Sequence, residues 1–178
     1  MYFAPLIHIN RNMPQIGVLS DTHGFFDPRL KVFFENCEEI WHAGDIGNIE
    51  TADEIAAFKP LRAVYGNIDG HEVRIVYPEN QRFHYHGMDV WITHIGGYPG
   101  HYESRVRNLI RINTPELFIS GHSHILKVMP DKTLGLLHIN PGAAGKSGFH
   151  QIRTAVRFII ESGKIRDLEV IELGNRQA

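Results

Sequence analysis

The sequence predicts an α/β protein in which two β-sheets pack face to face with helices outside, and three observations carry that prediction. Apolar runs and helical stretches alternate through the opening third, the mark of a right-handed parallel βαβαβ unit. The second half turns to short strands and hairpin signals around a single helix. A chain of 178 residues, 43% of them hydrophobic, suits one domain with a sizeable core and leaves little room for a second.

Taken in order, 16–20 is an apolar run ending in a polar loop, as a buried strand does. Asp27-Pro28 follows, an N-cap with proline at the first helical position, opening a helix to about 36 whose stripe is Leu30, Phe33 and Phe34. A second strand is expected over 39–42, a helix over 49–58 ending before Pro60, and a third strand over 61–65. Beyond these, 81–85 and 89–93 flank His86-Gly87-Met88 as an antiparallel hairpin. A basic amphipathic helix over 105–112 precedes strands over 117–120, 125–129, 134–139, 154–161 and 164–171, with Ser162-Gly163 turning the last pair. Residues 15–178 form the expected domain, and 1–14 an appendage to it, with Met13 a candidate start.

A net charge of -2 and a pI near 6.6 give no basic surface, so a nucleic-acid polymer is not an expected partner. The one cysteine, Cys37, forms no internal disulfide and fits a reducing cytoplasm. No apolar run approaches the ~18 residues of a membrane span, and the N-terminal stretch lacks the basic region of a signal peptide. Self-association through a sheet edge is compatible with all of this.

Five patches carry chemistry: Asp21-Thr22-His23, Gly44-Asp45, Gly66-Asn67-Ile68-Asp69, Thr93-His94 and Gly121-His122-Ser123-His124. Each follows an apolar run, so each falls on a loop at a strand end, and in so short a chain they have one place to meet. On an extended backbone, Asp21 with His23 and His122 with His124 would point the same way. The glycines before Asp45, Asn67 and His122 let the chain come close to an ion. Carboxylate, amide oxygen and imidazole together suit first-row divalent metals, and the absence of thiolates argues against a structural zinc site. Seven ligands (Asp21, His23, Asp45, Asn67, His94, His122, His124) exceed one ion. Two ions about 3.5–4 Å apart, bridged by a carboxylate, would use them all, and would yield a bridging hydroxide able to attack phosphorus in line. Asp69 reads as a partner to a ligand, and Phe25 as a residue that could shape the pocket mouth.

In the order DxH, GD, GNxD, H, GHxH, these patches resemble those of the calcineurin-like metallophosphoesterases, in their small prokaryotic phosphodiesterase (YfcE-type) branch. The resemblance spans about Gln15 to Leu173, and Asn140-Pro141-Gly142 is similar to a family loop near the site. It implies a four-layer αββα sandwich and a dinuclear metal-dependent phosphodiesterase. By that resemblance Asp21, His23, Asp45 and His124 hold a first ion, and Asp45, Asn67, His94 and His122 a second, with Asp45 as the bridge. Asp45, Asn67 and His94 would be the residues of the catalytic centre. Manganese is the metal the family suggests, with iron, zinc, nickel and cobalt chemically acceptable, and a small phosphodiester or nucleotide-like molecule the substrate.

Two positions depart from larger members of the superfamily. Where those have a histidine after the GN asparagine, this chain has Ile68, and where they orient it with an aspartate, this chain has Asn48. Both halves of an acid dyad are missing together, which favours substrates whose leaving group needs no proton, or a proton from His71 or His101. Two alternatives share the fold: a protein-interaction scaffold with weak catalysis, like the retromer subunit, and a phosphomonoesterase or dinucleoside polyphosphate hydrolase.

Overall fold

The computed structural model describes residues 14–176, so the expected appendage lies outside the described residues apart from Pro14. β1 (Gln15–Leu19) leads into α1 (Pro28–Phe33), where Asp27 accepts from the Arg29 amide and proline fills a position that needs no N–H. Phe34 caps it, so the helix stops short of the expected 36. β2 (Glu39–His42), α2 (Ile49–Phe58) and β3 (Leu61–Ala63) complete the parallel unit, with Asn48 capping α2 through the Thr51 amide. Next comes α3 (His71–Val76), which the sequence reading missed. Its six residues bury one side chain, Val73, and leave no stripe to detect.

β4 (Asn80–Tyr85) and β5 (Met88–Thr93) form the expected hairpin. The short pair β6 (Gly97–Tyr98) and β7 (His101–Tyr102) was not expected, because two residues per strand carry no periodicity. α4 (Ser104–Ile112), β8 (Leu117–Ile119), β9 (Leu126–Asp131), β10 (Leu136–Pro141), β11 (Ile152–Glu161) and β12 (Lys164–Asn175) follow.

One sheet runs β12-β11-β1-β2-β3 and the other β4-β5-β8-β10-β9. Both are mixed. β1, β2 and β3 are parallel, as are β5, β8 and β10, while the remaining pairings are antiparallel. Between the sheets lie Ile16, Val18, Trp41, Val90, Ile92, Leu117, Ile119, Val156 and Phe158, all fully buried. Leu30, Phe34 and Ile55 of the first two helical segments close the outer face of the first sheet. Val106 and Ile110 of α4 close the second, against Trp91 and Phe118. This helix–sheet–sheet–helix order is the αββα sandwich that was expected. No helix among the described residues is long and apolar enough to cross a membrane.

Parallel neighbours send their carboxyl ends the same way, and the pairing continues past them into the loops. Asp21 N donates to Gly44 O (2.9 Å), His23 N to Asp45 O (3.0 Å) and Gly121 N to His94 O (3.0 Å). The two sheets thus deliver all five patches to one rim.

Candidate metal centre

The backbone at this rim is not extended, which corrects the reasoning by alternation. Asp21, His23, Asp45, His122 and His124 have φ of 55°, 49°, 55°, 66° and 58°, in the left-handed region that most residues avoid. The pairs Asp21/His23 and His122/His124 therefore aim through tight turns and not along a strand. Close approach does hold for the glycines. A Cβ on Gly66 would lie 2.0 Å from Asp45 Oδ1, and one on Gly44 2.6 Å from the His94 ring.

The structure gathers six of the seven expected side chains into two groups, Asp21 with His23 and His124, and Asp45 with His94 and His122. Within each group the donor atoms all lie within 4.8 Å of one another. Asp21 Oδ1 is 3.0 Å from His124 Nε2, which is 3.4 Å from His23 Nε2, and Asp45 Oδ2 is 3.2 Å from His94 Nε2. The groups adjoin, with His23 Nε2 3.9 Å from Asp45 Oδ2 and His94 Nε2 3.9 Å from Asp21 Oδ1. The seventh, Asn67, lines a cavity together with His94.

Proton accounting shows which atoms are bare. Only an acceptor faces His94 Nδ1, the carbonyl of Ala43 at 2.7 Å, so Nδ1 carries a proton and, in the neutral ring, Nε2 a lone pair. Asp21 takes the His122 amide on Oδ2 (3.1 Å), leaving Oδ1 alone. Asp21 Oδ1 and His94 Nε2 are buried and have no hydrogen-bond partner. Buried lone pairs facing carboxylate oxygens repel unless a cation lies among them. Ligand separations near 3 Å also suit metal–ligand bonds of ~2.0–2.2 Å. The donor set therefore fits divalent metal.

Electrostatics agree. Burial alone would lower the His94 pKa, but the carboxylates of Asp45 and Asp21 outweigh it and hold it above the ordinary histidine value. Asp45 moves the opposite way, its burial outweighed by His94 and the Ile68 amide. In metal-free protein a proton on His94 is drawn to the place a cation would fill. Behind these side chains, Asp69 accepts from the amides of Ile46 (3.1 Å), Gly47 (2.6 Å) and Gly66 (2.7 Å), joining two of the loops. Burial drives His42 down to about 4, and this neutral ring accepts from Gly44 N (3.1 Å) and bonds Thr22 Oγ1 (2.9 Å). Asn140 holds the last patch through Gly121 O (2.8 Å) and Ser123 Oγ (3.1 Å).

Residues 15–163 match the Calcineurin-like phosphoesterase superfamily domain. The chain belongs to that superfamily. It is 30% identical over 140 residues to a probable metallophosphoesterase of Methanothermobacter thermautotrophicus, covering 72% of this chain and 76% of the relative. A solved structure described as a novel archaeal phosphodiesterase is 24% identical at a TM-score of 0.65, covering 89% of this chain and 99% of that one. A Vps29 variant from Entamoeba histolytica is 15% identical at a TM-score of 0.67, covering 90% and 99%. These two likenesses concern the fold.

Set against the superfamily's larger members, the two departures have structural employment. Asn48 Oδ1 caps α2 (2.8 Å to Thr51 N), and the Ile68 amide donates to Asp45 Oδ1 (3.0 Å) while its side chain is 46% exposed. A cavity of about 340 Å³ opens beside Asn67 and His94, lined also by Tyr65, Arg74, Thr93 and Arg105. Neither His71 nor His101 lines it, and both are exposed. Phe25 does not line it either, since Lys146 and Arg153 sit over its ring. Three residues outside the five patches matter here. Arg105, on the basic helix expected over 105–112, lines the cavity. Arg74 was not singled out, yet it lies 4.6 Å over the Tyr65 ring and donates to the carbonyls of Asp69, Gly66 and Asn67. His150, which belongs to none of the motifs, meets His124 at 3.0 Å. Spacing could have revealed none of these, because each comes from outside the five patches.

Proposed function

We propose that this protein is a dinuclear metal-dependent phosphodiesterase acting on small phosphodiesters or nucleotide-like substrates. The observation that carries the reading is the pair of bare, buried atoms, Asp21 Oδ1 and His94 Nε2, within 3.9 Å of each other. Asp21, His23, Asp45 and His124 would hold one ion and Asp45, Asn67, His94 and His122 the other, with manganese the favoured metal and iron, zinc, nickel or cobalt acceptable. When bound, such a pair supplies charge to neutralise phosphoryl oxygens and acidity to make a water nucleophilic at neutral pH. The chain's own residues do the rest. Asp45 ties the two halves together, the Ala43 carbonyl keeps the His94 lone pair turned inward, and the cavity receives an ester substituent. Arg74, held by three carbonyls next to Asn67, sets a fixed positive charge there.

With Ile68 in place of the histidine, nothing on that loop can protonate a leaving group, so diesters with stable leaving groups are the preferred substrates. Hydrolysis of an aryl phosphodiester and its monoester, with and without manganese, tests the reading. Metal-dependent diester turnover with a weak monoester rate is expected. Across diesters graded in leaving-group pKa the rate should fall steeply, since general acid catalysis typically supplies ~10²–10⁴-fold. A flat series would remove the argument from the missing acid. A reducing cytoplasm suits Cys37, which is buried and whose thiol burial pushes up to about 12.

A second reading, a protein-interaction scaffold, draws support from the Vps29 neighbours. Against it, no expected ligand is replaced in this chain. Absence of turnover with every first-row metal would favour the scaffold.

A further inference from the structure

Behind His124 lies a chain of hydrogen bonds that ends on an atom with only one possible role. His150 Nε2 is 3.1 Å from Gly145 O, and a carbonyl can only accept, so that nitrogen carries the ring proton of His150. The other nitrogen, Nδ1, then offers a lone pair to His124 Nδ1 at 3.0 Å. Two bare nitrogens would repel at that distance, so His124 Nδ1 carries a proton and donates it. In the neutral ring that leaves the His124 Nε2 lone pair turned to the site, 3.0 Å from Asp21 Oδ1 and 3.4 Å from His23 Nε2.

We infer that His150 is a positioning residue: by accepting the Nδ1 proton of His124 it fixes the tautomer and ring orientation that turn Nε2 toward Asp21 and His23. A second observation points the same way. Gly148 has φ of +125°, and a Cβ there would stand 2.1 Å from His124 Nδ1 and 3.2 Å from His150 Nδ1. The two rings meet only because residue 148 has no side chain. The loop that carries this arrangement is tied to the end of β12, where Arg176 donates its guanidinium to Gly148 O and its amide to Gln151 O (3.0 Å). Partners of this kind orient ligating histidines and raise their basicity, and losing one typically costs ~10–100-fold in metal affinity.

The tautomer follows from the hydrogen bonds alone, while the effect on affinity rests on the metal reading proposed above. Two readouts keep them apart. In metal-free protein, long-range ¹H–¹⁵N NMR should show His124 carrying a proton at Nδ1, hydrogen-bonded to a bare His150 Nδ1. His150→Ala should shift it toward the Nε2-protonated form that free imidazole prefers. His150→Asn, whose amide oxygen can stand near the Nδ1 position, should restore the wild-type signature. Manganese titration should then show one of two sites weakened ~10–100-fold in His150→Ala, with the other unchanged. Gly148→Ala should act in the same direction with His150 still present.

Two results would overturn the assignment: a His124 Nδ1 without a proton in the wild type, or His150→Ala binding both ions as the wild type does. If the wild type binds no manganese, the metal reading fails and the NMR signature alone decides the role of His150.

Discussion

His94 and His124 each turn Nε2 into one of the two adjoining groups, yet different kinds of partner hold them. His94 leans on the Ala43 carbonyl, part of the backbone that follows β2, and Asp45 beside it accepts the Ile68 amide. Asp69 then binds three further amides of the same loops. His124 leans on the side chain of His150. The loop bearing Asp21 and His23 runs into Asp27, which fully buried Arg153 holds at 2.8 Å. In one half each of these braces has a main-chain group at one end. The other also depends on side chains meeting side chains, which single substitutions can remove.

The largest effect should come from Asp45, the proposed bridge between the two halves. Asp45→Asn keeps the oxygen that accepts the Ile68 amide but loses the shared charge. Diester turnover should vanish with every added metal while the melting temperature stays near wild type. Asp27→Asn attacks the brace behind the first half, leaving the Arg153 charge uncompensated in the interior at a cost of about 3–5 kcal/mol in denaturant titration. Asparagine still caps a helix, so capping does not confound the result. The same variant has a pH signature. Arg29 foremost, with Arg153 behind, holds the Asp27 carboxyl well below the usual range against the opposing pull of burial. Its stabilisation is therefore complete above the unfolded carboxylate value and fades as pH falls through the depressed folded one. Below about pH 4 the wild type should lose that increment progressively, and Asp27→Asn should show no such loss from this position.

Restoring the missing dyad asks whether the main-chain-braced half can also carry an acid. Ile68→His with Asn48→Asp should raise rates on diesters with poor leaving groups by ~10²-fold and leave activated aryl diesters nearly unchanged. The Ile68 side chain is half exposed and aspartate caps as well as asparagine, so stability should hardly move. The smallest effect should be that of Asp69→Asn. One accepting oxygen becomes a donor facing an amide, at a cost of about 1–3 kcal/mol, and thermal unfolding would measure it. A loss as large as that of Asp27→Asn would erase the distinction between the two halves.

The order of elements was legible because parallel units announce themselves through alternation of period and through the loops that end them. Asp27-Pro28 and the 49–58 stripe are signals of that kind. The meeting of the five patches was legible for the same reason, since carboxyl ends of parallel strands share a rim. What stayed hidden was local or distant. α3 buries a single side chain, and the turns at Asp21, His23, His122 and His124 follow the left-handed region rather than a strand. The partnership of His150 with His124 spans 26 positions and depends on a glycine two residues away, a relation no spacing rule encodes.

The left-handed ligands carry an evolutionary consequence. Each of these five residues pays a conformational penalty of about 1 kcal/mol that glycine would escape. Without metal, their clustered lone pairs add repulsion. A lineage released from catalysis would gain stability by drifting away from this set, because substitution there runs downhill for the fold. Aspartate and histidine at such costly positions are what the proposed metal site would demand of the fold.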